Sequence, residues 1–359
     1  MKILITGVHG FVGTNLVKAL SREHIIYGLD IISPIKDGVR FTFSWDFLDK
    51  PDKIPEVDAI IHLAGKAHDT KNKSAADVYF KVNTDLTKKI FDYFLAHDSI
   101  KKFVFFSTAK AAADKVDGIL TEDVVPTPVG PYGESKIAAE RYILEKFKDY
   151  SLRFKDSSKV DSDKVEIENY TLTTDSKPSA RPNGTLDPSR TINSELQKKS
   201  VYIFRPCMIH GPGNKGNLNL LYNVVKKGIP WPLGAFENRR TFTSVENICF
   251  TVNGVLTKDV PSGIYNMGDD EALSTNELIE EICKSLGKNA HIWKLPKRLM
   301  YGVAKIGGAL HLPLDSERLR KLTEDYVSSN AKIKKALGVE KMPVGAREGL
   351  KVTLESFAK

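Results

Sequence analysis

Apolar residues recur along the first 110 positions in two alternating rhythms. Short continuous runs occur at Lys2–Thr6, Ile25–Leu29, Arg40–Phe43, Val57–Leu63 and Phe103–Ser107, and each reads as a strand. Between the first two, Phe11, Val12, Leu16, Val17 and Leu20 repeat at helical spacing. Before the last, Val82, Leu86, Ile90, Phe94 and Leu95 mark a long helix. Strands that are apolar along their whole length are covered on both faces. Alternation with helices makes the sheet parallel, so the fold class is α/β, Rossmann-like and doubly wound.

The pattern changes near Lys148. From there to Lys199 the chain is rich in Ser, Thr, Asp, Asn and Lys, with Pro178, Pro182 and Pro188 clustered, and reads as a surface insertion. Within it, Val165–Glu168 and Tyr170–Leu172 could pair as a short hairpin. Core-like sequence resumes at Val201–Phe204, a sixth strand. Beyond lie a helix over Leu220–Val225, a Pro/Trp-bearing loop at Gly228–Gly234 and a core segment at Arg239–Val245. Ser274-Thr275-Asn276-Glu277 is a capping box opening a helix through Leu278, Ile282 and Leu286, closed by Gly287. These breaks divide the chain into a nucleotide-binding domain over 1–210, interrupted by 148–199, and a smaller C-terminal lobe over 211–359. About 240–268 returns to the first core.

With 359 residues, 41% hydrophobic and 27% charged, the chain has the balance of a soluble protein with a large core. Met1–Ile5 runs straight into a glycine-rich turn and reads as a strand, not a signal peptide. The most apolar later segment, Leu299 to Leu312, contains Lys305 and His311 and reads as a buried or lobe-packing helix, not an anchor. Cys207, Cys249 and Cys283 are too few and too scattered for a disulfide framework or a metal site, which points to a reducing cytoplasm. The formal charge of +8 is spread along the chain, so it reads as a solvated surface without nucleic acid or membrane as partner.

Two motifs carry chemistry. Gly7-Val8-His9-Gly10-Phe11-Val12-Gly13 follows a strand and opens a helix. Such a turn lets a pyrophosphate approach free backbone N–H groups at a helix N-terminus. Glycines alone also fit an ordinary βα turn. Asp30, 23 residues after Gly7 at the end of the second strand, adds an acceptor for ribose hydroxyls and disfavours a 2′-phosphate, so NAD is expected. Asp46 is a candidate for the adenine amine, although a turn residue would look the same.

The second motif is Tyr132-Gly133-Glu134-Ser135-Lys136. If Pro131 opens a helix, Tyr132 and Lys136 share one face. A nearby ammonium favours the phenolate of a residue that ordinarily titrates near ~10. Thr108, at the end of the fifth strand, would bind a substrate hydroxyl and relay its proton to Tyr132; beside it, Ser107 is as readily a backbone cap. A tyrosine base facing a nicotinamide means hydride transfer at a carbinol.

Taken together, these residues resemble the extended short-chain dehydrogenase/reductases, in particular the NAD-dependent nucleotide-sugar epimerase/dehydratase family. The likeness rests on Gly7, Gly10, Gly13, Asp30, His62-Leu63-Ala64-Gly65, Val82-Asn83-Thr84, Ser107-Thr108 and Pro131 to Lys136. It continues through Arg205-Pro206, Gly211-Pro212-Gly213 and Gly263 to Gly268. The stretches Asn214–Leu218 and Pro232–Arg240 look closest to UDP-hexose 4-epimerases and related 4-keto-reductases.

The resemblance implies bound NAD held by Gly7, Gly10, Phe11, Val12, Gly13, Asp30, Asp46, Leu63, Ala64, Gly65, Asn83, Ser107, Tyr132 and Lys136. Catalysis would fall to Thr108, Tyr132 and Lys136. It implies a UDP-sugar met by Thr108, Asn217, Leu218, Arg240 and Arg320, with Arg318 or Lys321 as alternatives to Arg320, and a homodimer. The expected reaction is 4-epimerisation of a UDP-hexose or UDP-N-acetylhexosamine through a 4-keto intermediate. The alternatives are reduction of a UDP-4-keto-6-deoxy-hexosamine and, more remotely, a non-catalytic nucleotide sensor. Family dehydratases follow the threonine with Asp-Glu, and 3,5-epimerases place a cysteine there; Ala109-Lys110 offers neither. Ala111-Ala112-Ala113 replaces a bulky–aromatic–glycine run and is expected to widen or reshape the sugar pocket.

Overall fold

The computed structural model describes residues 1–49, 55–66, 75–155, 199–214, 216–309 and 314–358. In the first half of the chain β1 (Lys2–Thr6), α1 (Phe11–Leu20), β2 (Ile25–Leu29), β3 (Phe41–Phe43) and β4 (Ala59–His62) are followed by α2 (Ala76–Phe80), α3 (Leu86–Ala96), β5 (Lys102–Phe106), α4 (Ala109–Ala112), β6 (Ile119–Leu120) and α5 (Gly130–Lys155). After the insertion come β7 (Ser200–Pro206), β8 (Met208–His210), α6 (Asn217–Lys226), β9 (Phe242–Ser244), α7 (Val245–Thr257) and β10 (Gly263–Met267). The chain ends with α8 (Thr275–Ser285), α9 (Lys297–Ala309), α10 (Ser316–Thr323), β11 (Val327–Ser328), α11 (Ala331–Leu337) and α12 (Ala346–Phe357).

Seven strands form one parallel sheet in the order β10-β7-β5-β4-β1-β2-β3. The order reverses between β1 and β4, which opens a crevice at the carboxyl ends of the strands. Ile3, Leu4 and Ile5 are fully buried because alternate side chains meet helices on opposite faces. Ile3 and Ile5 pack with α1, α7 and α11 residues, and Leu4 with α3 and α5 residues. Each such side chain contributes about 1.5–3 kcal/mol. A separate core around Trp231, Phe236, Leu278 and Ile282 holds the C-terminal lobe.

The expected strands and helices of the first half are present within a residue or two. The long helix expected around Val82–Leu95 is broken by a π-helical turn, Lys81–Asp85, that buries Asn83 and Thr84. The capping box forms as read, with Ser274 and Glu277 each bonding the other's backbone. The insertion begins later than its composition implies, because α5 continues through Lys155. The rest of it, including the hairpin at 165–172, lies outside the described residues.

Candidate active site

Geometry makes the glycines necessary at the β1–α1 turn. Gly7 has φ +69°, and a Cβ there would lie 3.0 Å from the Ala64 amide nitrogen. A Cβ on Gly13 would meet the Gly7 carbonyl oxygen at 2.5 Å. Helix α1 starts at Phe11, and its cap Gly10 offers no side chain to its first amides. Those N–H groups therefore remain available for an anion at the positive end of the helix. The Val12 side chain packs into the core, leaving its backbone at this end. Asp30 is clamped to the turn: its Oδ2 accepts from the His9 amide at 2.9 Å and its Oδ1 from the Ile31 amide at 2.7 Å. Lys36, which the motif reading missed, reaches Thr14 Oγ1 at 2.8 Å. Asp46 is exposed and accepts a bond from the Ser44 hydroxyl.

The loop after β4 is built on buried polar links. The Ala64 amide donates to Thr6 Oγ1 at 3.0 Å. The Thr6 hydroxyl is then free to donate to His62 Nδ1, 2.7 Å away. Thr87 donates to the Asn83 carbonyl at 2.7 Å and accepts from His62 Nε2 at 2.9 Å. This chain fixes a neutral imidazole. Burial, with Lys136 adding repulsion, takes His62 down to about 3. Asn83 Oδ1 accepts from the Lys66 amide at 2.7 Å and its Nδ2 donates to Ser135 Oγ at 3.0 Å, tying this loop to α5.

The Thr108 and Tyr132 side chains meet where β5 faces the start of α5. Thr108 caps α4 by accepting from the Lys110 amide at 3.3 Å. Pro131 stands in the first turn of α5, as expected of a residue with fixed φ. A Cβ on Gly133 would lie 2.7 Å from the Lys110 carbonyl oxygen, so glycine lets α5 approach this close. Tyr132 is half-buried and its hydroxyl shares a hydrogen bond with Thr108. Burial pushes the phenol above its ordinary range, the Thr108 bond opposes this, and Tyr79 adds to it. The Tyr79 and Tyr132 rings meet edge-on at 6.4 Å.

Lys136 lies on the same helix face, yet its Nζ donates to the Phe106 carbonyl at 2.8 Å. Its desolvation brings the ammonium down to about 8, with Glu140 acting in the other direction. The spacing argument had the ammonium lowering the phenol; in this structure burial is the largest effect and raises it. A Cβ on Gly65 would come 3.1 Å from Lys136 Nζ, so the ammonium faces the Leu63–Gly65 loop. Ser107 donates to Glu140, whose carboxylate also receives Arg205 Nη2 at 2.6 Å.

Arg240 stands just before β9. Its backbone bridges Leu273 and Tyr326, and its guanidinium donates to the Lys321 carbonyl at the end of α10. Arg320 pairs with Asp114 and Glu324, each at 3.1 Å. Arg318 and Lys321 pair with Asp315 and Glu317 on their own helix. Asn217 is exposed at the first turn of α6, whereas Leu218 is buried in the lobe core, where its side chain packs instead of facing a ligand. The alanines after Thr108 do not open a wide pocket: Ala112 and Ala113 are buried beside Cys207, Leu120 and Tyr326, and the Tyr326 hydroxyl donates to the Ala113 carbonyl at 2.9 Å. Cys207 and His210 are buried, His210 between Asp269 and Thr353.

Glu140, Tyr79 and Tyr326 were not read from the sequence. Glu140 follows Lys136 by one helical turn, a spacing that would have flagged it. The two tyrosines arrive through tertiary packing and leave no local signal.

Residues 3–155 match the model of the NAD dependent epimerase/dehydratase family. The chain is 28% identical to a UDP-glucose 4-epimerase of Vibrio cholerae over 99% of its length and 95% of the relative's. It is 24% identical to an N-acetyl-α-D-glucosaminyl-diphospho-ditrans,octacis-undecaprenol 4-epimerase of Escherichia coli O157:H7, over 93% of this chain and 84% of that one. Among solved structures, the Thermus thermophilus UDP-glucose 4-epimerase complex with NAD aligns with a TM-score of 0.68 at 20% identity, covering 100% of this chain and 99% of the other. The Bacillus cereus UDP-glucuronic acid 4-epimerase in complex with NAD aligns at 0.67 and 18%, with the same coverage.

Proposed function

We propose that the chain is an NAD-dependent 4-epimerase of a UDP-hexose or UDP-N-acetylhexosamine, a reading supported by the match of residues 3–155 to the NAD dependent epimerase/dehydratase model and by the likeness to a UDP-glucose 4-epimerase. One observation carries the reading: the Tyr132 hydroxyl is bonded to Thr108 at the carboxyl end of β5, beside Lys136 and across from the glycine turn.

The residues present fit a dinucleotide. The cradle that a Cβ would fill at Gly7 and Gly13, the uncapped amides of α1 and the Asp30 carboxylate match a pyrophosphate and a ribose. Gly10, Phe11, Val12, Leu63, Ala64, Gly65, Asn83 and Ser107 would line or brace that cradle, and Asp46 would serve the adenosine end. Bound there, NAD supplies reversible acceptance of the C4 hydride. Tyr132 Oη takes the proton of the C4 hydroxyl and returns it, and Thr108 Oγ1 orients that hydroxyl. With NAD bound, Lys136 would donate to the nicotinamide ribose and offset negative charge as Tyr132 ionises. Arg240 and Arg320 would hold the diphosphate while the 4-keto sugar turns over, exchanging their present bonds to the Lys321 carbonyl and to Asp114 and Glu324 for phosphate oxygens. Asn217 and the backbone at Leu218 meet the uridine. Ala109 and Lys110 leave no carboxylate to remove protons at C5, which separates this site from dehydration.

The E. coli relative supports a second substrate class, the same C4 inversion on a sugar diphosphate carried by a polyprenol. We further propose a homodimer, as the resemblance implies, working in the cytoplasm with its three free cysteines reduced. Residues 1–210 would carry the cofactor and 211–359 most of the substrate contacts. The decisive experiment incubates the protein with UDP-sugars and a polyprenol-diphosphate sugar, and reads C4 stereochemistry alongside bound cofactor. Inversion without net NADH change is expected. Stoichiometric NADH loss on a keto-sugar would instead identify a reductase.

A further inference from the structure

Helix α9 has a wider apolar arc than the lobe covers. Met300, Ala304 and Gly307 face inward and are buried. Leu299, Val303 and Ile306 follow one another at helical spacing on an adjoining side, 52%, 43% and 61% exposed. The sequence pattern reads this segment as buried or lobe-packing; the structure buries one side and leaves the next open. Trp293, before the helix, is exposed, while Tyr301 lies across the helix from the stripe with its ring edge-on to Phe236. Trp293 is held in place because its backbone pairs with Trp231.

Charge specifies what covers the stripe. Between Ile282 and Leu314 the sequence holds Lys284, Lys288, Lys294, Lys297, Arg298 and Lys305 and no Asp or Glu. Arg298 and Lys305 fall together on a helical wheel, on the side away from the buried face. A second copy docked here would bring two cationic faces together and repel itself. An anionic bilayer surface is complementary: its headgroups attract the lysines, and its acyl boundary takes Leu299, Val303 and Ile306. An exposed Trp such as Trp293 favours that boundary, where one end is apolar and the other wet. Among the described residues no helix is long and apolar enough to cross a membrane, so the geometry is that of a helix lying in the interface.

We propose that α9, with Trp293, docks the protein on an anionic phospholipid surface. This stands apart from the catalytic reading, since no residue of the stripe belongs to the active site. The test floats the full chain with vesicles of phosphatidylcholine alone or mixed with phosphatidylglycerol. The wild-type chain is expected to float with the anionic vesicles and to be released by salt. Leu299→Glu/Val303→Glu/Ile306→Glu and, separately, Lys297→Gln/Arg298→Gln/Lys305→Gln should each lower the bound fraction about tenfold. Circular dichroism and the oligomeric state of both variants should match the wild type. The charge variant leaves the apolar stripe intact and carries the test if the glutamates unfold the lobe. Absence of flotation, equal flotation by the charge variant, or a changed oligomeric state in the folded apolar variant would each overturn the proposal.

Discussion

The carboxylate of Glu140 and the guanidinium of Arg205 meet at 2.6 Å with both side chains closed to water. Arg205 Nε adds bonds of 3.1 Å to both oxygens, and the Ser107 hydroxyl donates to the same carboxylate. Glu140 stands on α5, one turn beyond Lys136, and Arg205 on β7. A buried charge stripped of its partner costs about 3–5 kcal/mol, whereas removing both partners is far cheaper. Glu140→Gln is therefore expected to lower unfolding free energy by that amount in urea titrations. Glu140→Leu/Arg205→Met should recover most of it. A double variant as unstable as the sum of the singles would mean that the two side chains do not act as a pair.

The Tyr132–Thr108 hydrogen bond leads to a second prediction. A phenol raised by burial is a weak base at neutral pH, so its activity depends on Thr108 and on positive charge arriving with bound ligands. Tyr132→Phe removes the proton acceptor and should cut turnover by about 10²–10⁴-fold. Thr108→Val should also slow turnover, by a smaller factor, since it orients the hydroxyl without taking the proton. Substrate binding, read by calorimetry, should survive in both. Turnover near wild type in Tyr132→Phe would remove it from the proposed mechanism.

Legibility followed the range of the interactions. Strand and helix periods are local, so β1, α1, β2, β5 and the Ser274 capping box could be read directly from the chain. Gly7, Gly13 and Gly133 were readable because each stands where a turn or close approach forbids a Cβ. The Lys136–Phe106 bond was not, because a motif spacing says nothing about a backbone carbonyl 30 residues away. Tyr326 reaches Ala113 across 213 residues, which is why three alanines read as open space. For α9, hydropathy marked an apolar helix but could not say how much of its circumference the lobe would cover.

Asp30 and Lys36 together set up a third prediction. The carboxylate is held by two backbone amides, while Lys36 lies within reach of Thr14 and feels the Asp30 charge. Hydrogen bonds to a charged group are worth about 1.5–3 kcal/mol. Asp30→Ser should weaken NAD by at least about tenfold and relieve the repulsion of a 2′-phosphate, for which Lys36 offers a cation. Adding Lys36→Gln should take back the gain for NADP and leave NAD unchanged. Titrating cofactor-free protein with both nucleotides checks this; an unchanged NAD to NADP ratio in Asp30→Ser would rule it out.

Lys136 yields opposite pH trends for binding and stability. Its ammonium is desolvated, which takes it from its ordinary value down to about 8. The folded state thus disfavours a charge that the unfolded chain keeps until well above pH 10. The cost of holding that charge is fully present below about pH 8 and is relieved as pH rises from there toward the unfolded value, so this residue makes the fold more stable with rising pH. NAD binding should run the other way. Above about pH 8 the neutral amine no longer supplies a charged donor to the ribose, and affinity should fall about tenfold per unit once it titrates. Lys136→Met should remove both trends. Binding to cofactor-free wild-type protein that stays flat across this window would mean that Lys136 does not contact NAD as an ammonium.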